Sequence, residues 1–292
     1  MNYIESNSTN WAGIGHQFVM WSFGFLLSKI YNLTFIHTPF TETNRKYNST
    51  NNWSFTIDNN PKIKWDDYLN FKDKLHTKRP LDHKLINLPK IDLLHTKHIN
   101  DLKDIKNIND RLSTWENLFR NNDKVIFKLP IDNFSSYHFS LLFNYKQYFY
   151  DCYWKEKTTY NFKNNKKNIV IHIRLGDITP EKYPGKYIDL KFYIDLIKKL
   201  KIKYSDHIVN IVSDGTLNQL KPLLSENVEL HLDKNEFESF HMLCSADILI
   251  TSKSSFSFVP CLLNNNIKYF YPHFNYFYEV DKFENFYNIL EF

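Results

Sequence analysis

The chain has 292 residues, 42% of them hydrophobic and 17% aromatic, which excludes a disordered protein and leaves room for two domains or one large α/β domain. Its net charge of +5 comes from lysines scattered along the chain, a pattern of solvated faces that argues against a nucleic-acid-binding protein. Three cysteines (Cys152, Cys244 and Cys261) without CxxC spacing argue against a disulfide framework or a zinc site and favour a reducing compartment.

The chain opens MNYIESNSTNWAG, with neither the charged n-region nor the apolar h-region of a signal peptide. Its longest apolar run, Phe18–Ile30, is shorter than the roughly 20 residues that cross a bilayer. The expectation is a cytoplasmic protein with no transmembrane segment. Gly13 and Gly15 predict a tight turn, followed by an apolar helix from Gln17 to about Tyr31 and a strand over Leu33–His37. Only the G-x-G of a dinucleotide fingerprint is present, because Phe18 occupies the place of the third glycine. The loop Gly13, Gly15, His16 and Gln17 is nevertheless suited to ligand contact, since it leads into a helix amino terminus.

Residues 41–66 are polar and rich in Asn, as expected of a long loop or insertion. Helices are expected near Asp101–Leu118 and Ser136–Tyr150, with short strands at Lys84–Asn87 and Lys124–Lys128. His76, His83, His95 and His98 lack a metal-ligand spacing. The polar run Phe162–Asn168 is the candidate linker, dividing the chain into domains 1–165 and 166–292.

Beyond the linker, strand and helix alternate. IVIHIRLGD (169–177) is a buried strand running into a loop, and its period of two places His172 and Arg174 on one face at the carboxyl end. Further strands are expected at His207–Val212, Val228–Leu232, Asp247–Thr251 and Lys268–Tyr271. Helices are expected at Asp189–Tyr204, Thr216–Leu224, Glu236–Ser245, Ser254–Leu263 and Phe283–Leu290. Such alternation implies a parallel sheet with right-handed crossovers, and ligands bind beyond the carboxyl ends of the strands in open sheets of this kind.

That rule selects the candidate site. Arg174 offers a planar fork of donors for phosphate oxygens. Ser254 and Ser255, with the Phe256 N–H, open a helix directly after a buried strand, so they either cap it or help to bind an anion. Ser213 and Asp214 end a third strand, where Asp214 would accept from a ribose hydroxyl or cap the next helix. Glu236 and Glu238 begin a helix that favours acids, and one of them is a candidate for the N1–H and N2 amino group of a guanine.

The AGIGHQ loop, HIRLGD and CSADILITSKSSFSF, in that order, resemble the motifs of α-1,2-fucosyltransferases and, more distantly, of the protein O-fucosyltransferase and α-1,6-fucosyltransferase group. The resemblance implies a GT-B-like α/β fold of two Rossmann-like domains facing a cleft, the first carrying the G-x-G loop on the acceptor side and the second binding the nucleotide sugar. It implies an inverting transfer of fucose from GDP-fucose to a glycan hydroxyl, without metal or resident cofactor. Arg174 is then the donor-phosphate contact, with His172 orienting the nucleotide or bracing Arg174, and Asp177 or Glu181 the candidate base. Two positions depart from the family pattern: His16 stands where the family has Asn, and Leu175 where it has a second Arg. They keep open a non-catalytic module that binds a glycan or nucleotide; a transferase using another nucleotide sugar is a further alternative, which the contact to the base decides. The absence of D-x-D agrees with metal-free chemistry. The acceptor is expected near Trp11–Gln17 and Thr41–Trp65.

Overall fold

The computed structural model describes residues 1–6, 13–40, 44–47, 53–56, 64–90, 102–130, 136–162, 166–232, 234–271 and 283–292. The chain forms two compact units, Met1–Lys155 and Glu156–Phe292.

In the first unit, β1 (Tyr3–Glu5) leads to α1 (Ile14–Ile30) and β2 (Thr34–Ile36). Then come β3 (Asn44–Tyr47), β4 (Trp53–Thr56), α2 (Lys64–Leu69), β5 (Lys84–Asn87), α3 (Leu102–Asn121), β6 (Val125–Lys128) and, after a 3-10 stretch over Ser136–Tyr145, α4 (Lys146–Trp154). The main sheet has the order β2-β1-β6-β5 with every pair parallel. Helix α1 is apolar nearly all round, and fourteen of its seventeen residues are buried, as such a helix requires. Its Trp21 meets Phe18, Phe25, Phe35, Phe40, Phe71 and Phe149 in one aromatic cluster. Gly24 allows the close approach, since a Cβ there would lie 2.9 Å from the Phe35 ring.

Two expectations change in this unit, and one strand was not expected. Helix α1 starts three residues early: Gly13 is its extended N-cap at φ −65° and Gly15 lies within its first turn, so the glycines make no tight turn. The segment 41–66, expected as a long loop or an insertion, contains the antiparallel pair β3–β4, where Trp53 and Phe55 alternate with polar residues at strand period, and the start of α2. Strand β1, three residues long, has no sequence run to announce it. Trp11 and Thr41, at the starts of the two expected acceptor segments, lie outside the described residues, as do His95 and His98.

The second unit runs β7 (Lys167–Ile173), α5 (Leu190–Lys203), β8 (His207–Ser213), α6 (Leu217–Leu220), β9 (Glu229–His231), α7 (Glu236–Cys244), β10 (Ile248–Ile250), α8 (Ser255–Leu263), β11 (Ile267–Phe270) and β12 (Phe286–Asn288). Its sheet order is β12-β11-β10-β7-β8-β9, all parallel. Strand β7 is buried on both faces (Ile169, Val170, Ile171 and Ile173), as a central parallel strand should be. Ile169, Ile171 and Ile173 pack in one core with Leu196, Ile197 and Leu200 of α5. Capping follows the sequence: Asp189 caps α5, Asn235 caps α7, Ser254 caps α8, and Thr216 with Gln219 forms a capping box on α6. The helix expected at 283–290 is instead β12 followed by a 3-10 turn at Ile289–Glu291. Asn285, at φ 64°, breaks any helix there, and Phe286 enters the core beside β11.

Candidate functional site

The order of the second sheet locates the site. From β7 the chain moves outward through β8 and β9, then returns to the other side of β7 and moves outward again through β10, β11 and β12. The direction reverses between β7 and β10, and an open α/β sheet binds ligands beyond its strand ends at such a switch point. His172, next to last in β7, and Ser252, two residues past β10, span that gap with a 2.8 Å hydrogen bond between Nδ1 and Oγ.

His172 is only 4% exposed. Burial, and to a lesser degree the neighbouring Arg174 guanidinium, lower its pKa to about 4 against the opposing pull of Asp214, so the ring is neutral near pH 7. Its Nε2 has no hydrogen-bond partner among the described residues. The ring lies 5.5 Å from that of Phe256 in the first turn of α8.

Arg174 follows β7 directly and is held from two sides. One terminal nitrogen donates to Asp177 at 2.5 Å, and the other to Asp214. Asp214 also accepts the N–H groups of Leu175 at 2.8 Å and Gly176 at 3.0 Å, fastening the end of β8 to the loop after β7. Gly176 is required by this closeness: a Cβ on it would lie 2.7 Å from Asp214 Oδ2. The bonds that fix Arg174 thus also compensate its charge.

Several of the expected residues already have partners within the protein. Asp214 neither caps α6, which Thr216 does, nor stands free for a ribose; its carboxylate positions Arg174. Ser213 Oγ is turned to the main chain, donating to the Ile173 carbonyl and accepting from the Gly215 N–H. Asp177 Oδ1 accepts from Arg174, so the candidate base is paired with the guanidinium. Glu238 Oε1 accepts from the Tyr160 hydroxyl and from Lys234, each at 2.8 Å. These hydrogen bonds, with that to Lys234 the strongest influence, lower its pKa. Ser254 Oγ accepts from the Phe256 N–H at 3.2 Å, so that donor serves the cap, while Ser255 follows as the first residue of α8. Gly13, Gly15, His16 and Gln17 open α1 in the first unit, where the Gly13 carbonyl accepts from the His16 and Gln17 N–H groups and the Gln17 side chain is buried.

Sequence reasoning missed Ser252 as the partner of His172. The signal was there: both positions close apolar strands that the sheet order makes neighbours, but that order is not legible in a single sequence. Among the described residues there is no group of three or more His, Cys, Asp or Glu side chains able to hold a metal ion, and no helix long and apolar enough to cross a membrane.

No family model matches the chain, and no curated protein matches it by sequence. Among solved structures it is similar to POFUT1 in complex with GDP-fucose, with a TM-score of 0.50 and 10% identity over 92% of this chain and 97% of that one. It also matches POFUT1 in complex with GDP (TM-score 0.49, 11% identity, 92% and 98% covered) and KpsC of Thermosulfurimonas dismutans, a beta Kdo 2,7 transferase (0.33, 14%, 66% and 79%). The first match and the two parallel sheets define the fold class as α/β of the GT-B type.

Proposed function

We propose that the chain is a metal-independent, inverting glycosyltransferase that moves fucose from GDP-fucose to a glycan hydroxyl, in the manner of an α-1,2-fucosyltransferase. The observation that carries this reading is Arg174, fixed by Asp177 and Asp214 at the switch point between β7 and β10, beside a neutral buried imidazole and the amino terminus of α8. The GDP-fucose held by POFUT1, whose fold the chain shares, supports the choice of donor.

In the reaction the acceptor oxygen forms a bond to the anomeric carbon as the bond from that carbon to the diphosphate oxygen breaks. The electron pair leaves on the diphosphate, and the acceptor proton passes to solvent. Negative charge therefore grows on the leaving group, and fixed donors aimed at such charge are generally the largest catalytic contribution. Arg174 meets that requirement without reorganisation, because its guanidinium is already held in one orientation. Asp177 and Asp214 act as positioning residues. His172 offers Nε2 to the donor as a neutral ring, so it takes part by hydrogen bonding and not by charge.

The test is incubation with GDP-fucose and a panel of oligosaccharide acceptors, read by mass spectrometry, alongside calorimetry with GDP and UDP. Fucosylated product and selective binding of GDP are expected. Binding of UDP in preference to GDP overturns the donor, and GDP-fucose binding without transfer or hydrolysis overturns the enzyme. EDTA should leave the rate unchanged; loss of activity restored by Mn²⁺ overturns metal independence.

A further inference from the structure

The charge balance at the carboxyl edge of the second sheet is uneven. Arg174 faces two carboxylates, Asp177 and Asp214, so the three side chains together carry a net negative charge. A diphosphate arriving there gains fixed, charge-stabilising donors from Arg174, while the site as a whole gains no net positive charge from it. Lys253 stands differently. It lies between Ser252, which bonds His172, and Ser254, which caps α8. It has no carboxylate partner among the described residues. Its ammonium sits 4.4 Å from the centre of the Tyr271 ring, a face that steadies a cation without neutralising it or consuming its N–H donors. Partial burial lowers its pKa, with no carboxylate contributing an opposing pull. The His172 ring is buried against Phe256 at the same helix end, and among the described residues its Nε2 has no hydrogen-bond partner, which leaves that nitrogen available to a ligand.

We propose that Lys253 supplies the uncompensated positive charge that holds the diphosphate of the sugar-nucleotide donor, while Arg174 orients it. This inference rests on the donor reading above. It divides two tasks between two cations: the doubly paired guanidinium sets direction, and the ammonium on Tyr271 sets affinity. Lysine suits the second task as a compact charge with rotatable donors.

The test is calorimetry with GDP, GMP and guanosine on the whole chain, its Lys253→Gln variant and its Lys253→Arg variant, with circular dichroism to confirm folding. Lys253→Gln should weaken GDP binding by about tenfold, the worth of a charge-assisted contact, with a smaller effect on GMP and none on guanosine. Lys253→Arg should recover most of the loss, which a merely structural role would not predict. GDP binding by Lys253→Gln as tight as by the parent overturns the inference and leaves the donor reading intact. A parent chain that binds no GDP overturns both.

Discussion

Two buried histidines, one in each unit, sit at the carboxyl end of a parallel strand and are each only 4% exposed. His37, just past β2, has both ring nitrogens occupied: the Trp21 indole N–H donates to Nδ1 at 3.1 Å, which leaves the proton on Nε2 to be donated to Asp66 at 2.6 Å. Asp66 is satisfied in turn by the Phe40 N–H and by Lys72. Burial pushes its pKa up, but the bonds to His37 and Phe40 and the charge of Lys72 outweigh that, and the pKa is lowered overall. His172 has one nitrogen on Ser252 and the other without a partner among the described residues. A complete network fixes a core, whereas a buried polar atom left over is costly unless something arrives to satisfy it. The same residue type at the same kind of place is therefore bonded through both nitrogens in one unit and, among the described residues, through one in the other.

The contrast breaks most sharply at Arg174. If the edge of β7 is the reactive one, Arg174→Ala should lower transfer by about a hundredfold or more, the typical cost of losing one charge-stabilising donor. The melting temperature should change little, since the side chain is partly exposed. Near-parent turnover from GDP-fucose would end the assignment.

A pH titration comes next. Because the His172 pKa is about 4 in the fold and near 6.5 in the unfolded chain, the unfolded chain binds a proton that the native ring refuses over that interval. Stability should rise with pH from about 4 to about 6.5 and then level off, a contribution on the order of 3 kcal/mol. Urea midpoints across that range should show a shallower slope in His172→Phe than in the parent. Equal slopes would mean that the ring is not held neutral.

The paired substitutions His37→Phe and His172→Phe sharpen the comparison further. The first orphans the buried Trp21 N–H and one Asp66 contact and should cost about 2 kcal/mol; the second removes one bond to Ser252 and should cost about 1 kcal/mol. Donor affinity should move the opposite way, falling in His172→Phe and staying constant in His37→Phe. Equal effects of the two variants on both measurements would erase the distinction.

The two units also differ in how far they can be read from sequence. In the second, strand and helix alternate at close spacing, and Asp189, Asn235 and Ser254 announce helix starts, so the sheet and the position of Arg174 were legible. What stayed hidden was long-range: Asp214 reaches Arg174 across forty residues, and Ser252 reaches His172 across eighty. Glycines 13 and 15 misled because a helix N-cap and a tight turn draw on the same residue. Phe283–Leu290 misled because its apolar spacing fits either period until Asn285 takes a left-handed conformation. In the first unit, β1 contributes three residues to a sheet whose order depends on packing around α1, and no local pattern carries that information.

The smallest expected effect concerns Glu238, the candidate guanine contact. Its carboxylate accepts from the Tyr160 hydroxyl and forms an i,i+4 pair with Lys234 on a partly exposed face. Exposed pairs of this kind contribute only about 0.3–0.5 kcal/mol, and the amide of Glu238→Gln retains an oxygen for Tyr160, so stability should change by no more than that. If Glu238 only ties α7 to Tyr160 and Lys234, its replacement should leave the affinities for GDP and for UDP unaltered. If it turns from these partners to a guanine edge, the Gln amide cannot accept two N–H donors as the carboxylate does, and GDP binding should weaken by about tenfold while UDP binding does not. Calorimetry with both nucleotides separates the two outcomes, and the geometry favours the first: both donors are on Oε1, and a guanine edge that engages both carboxylate oxygens would compete with them.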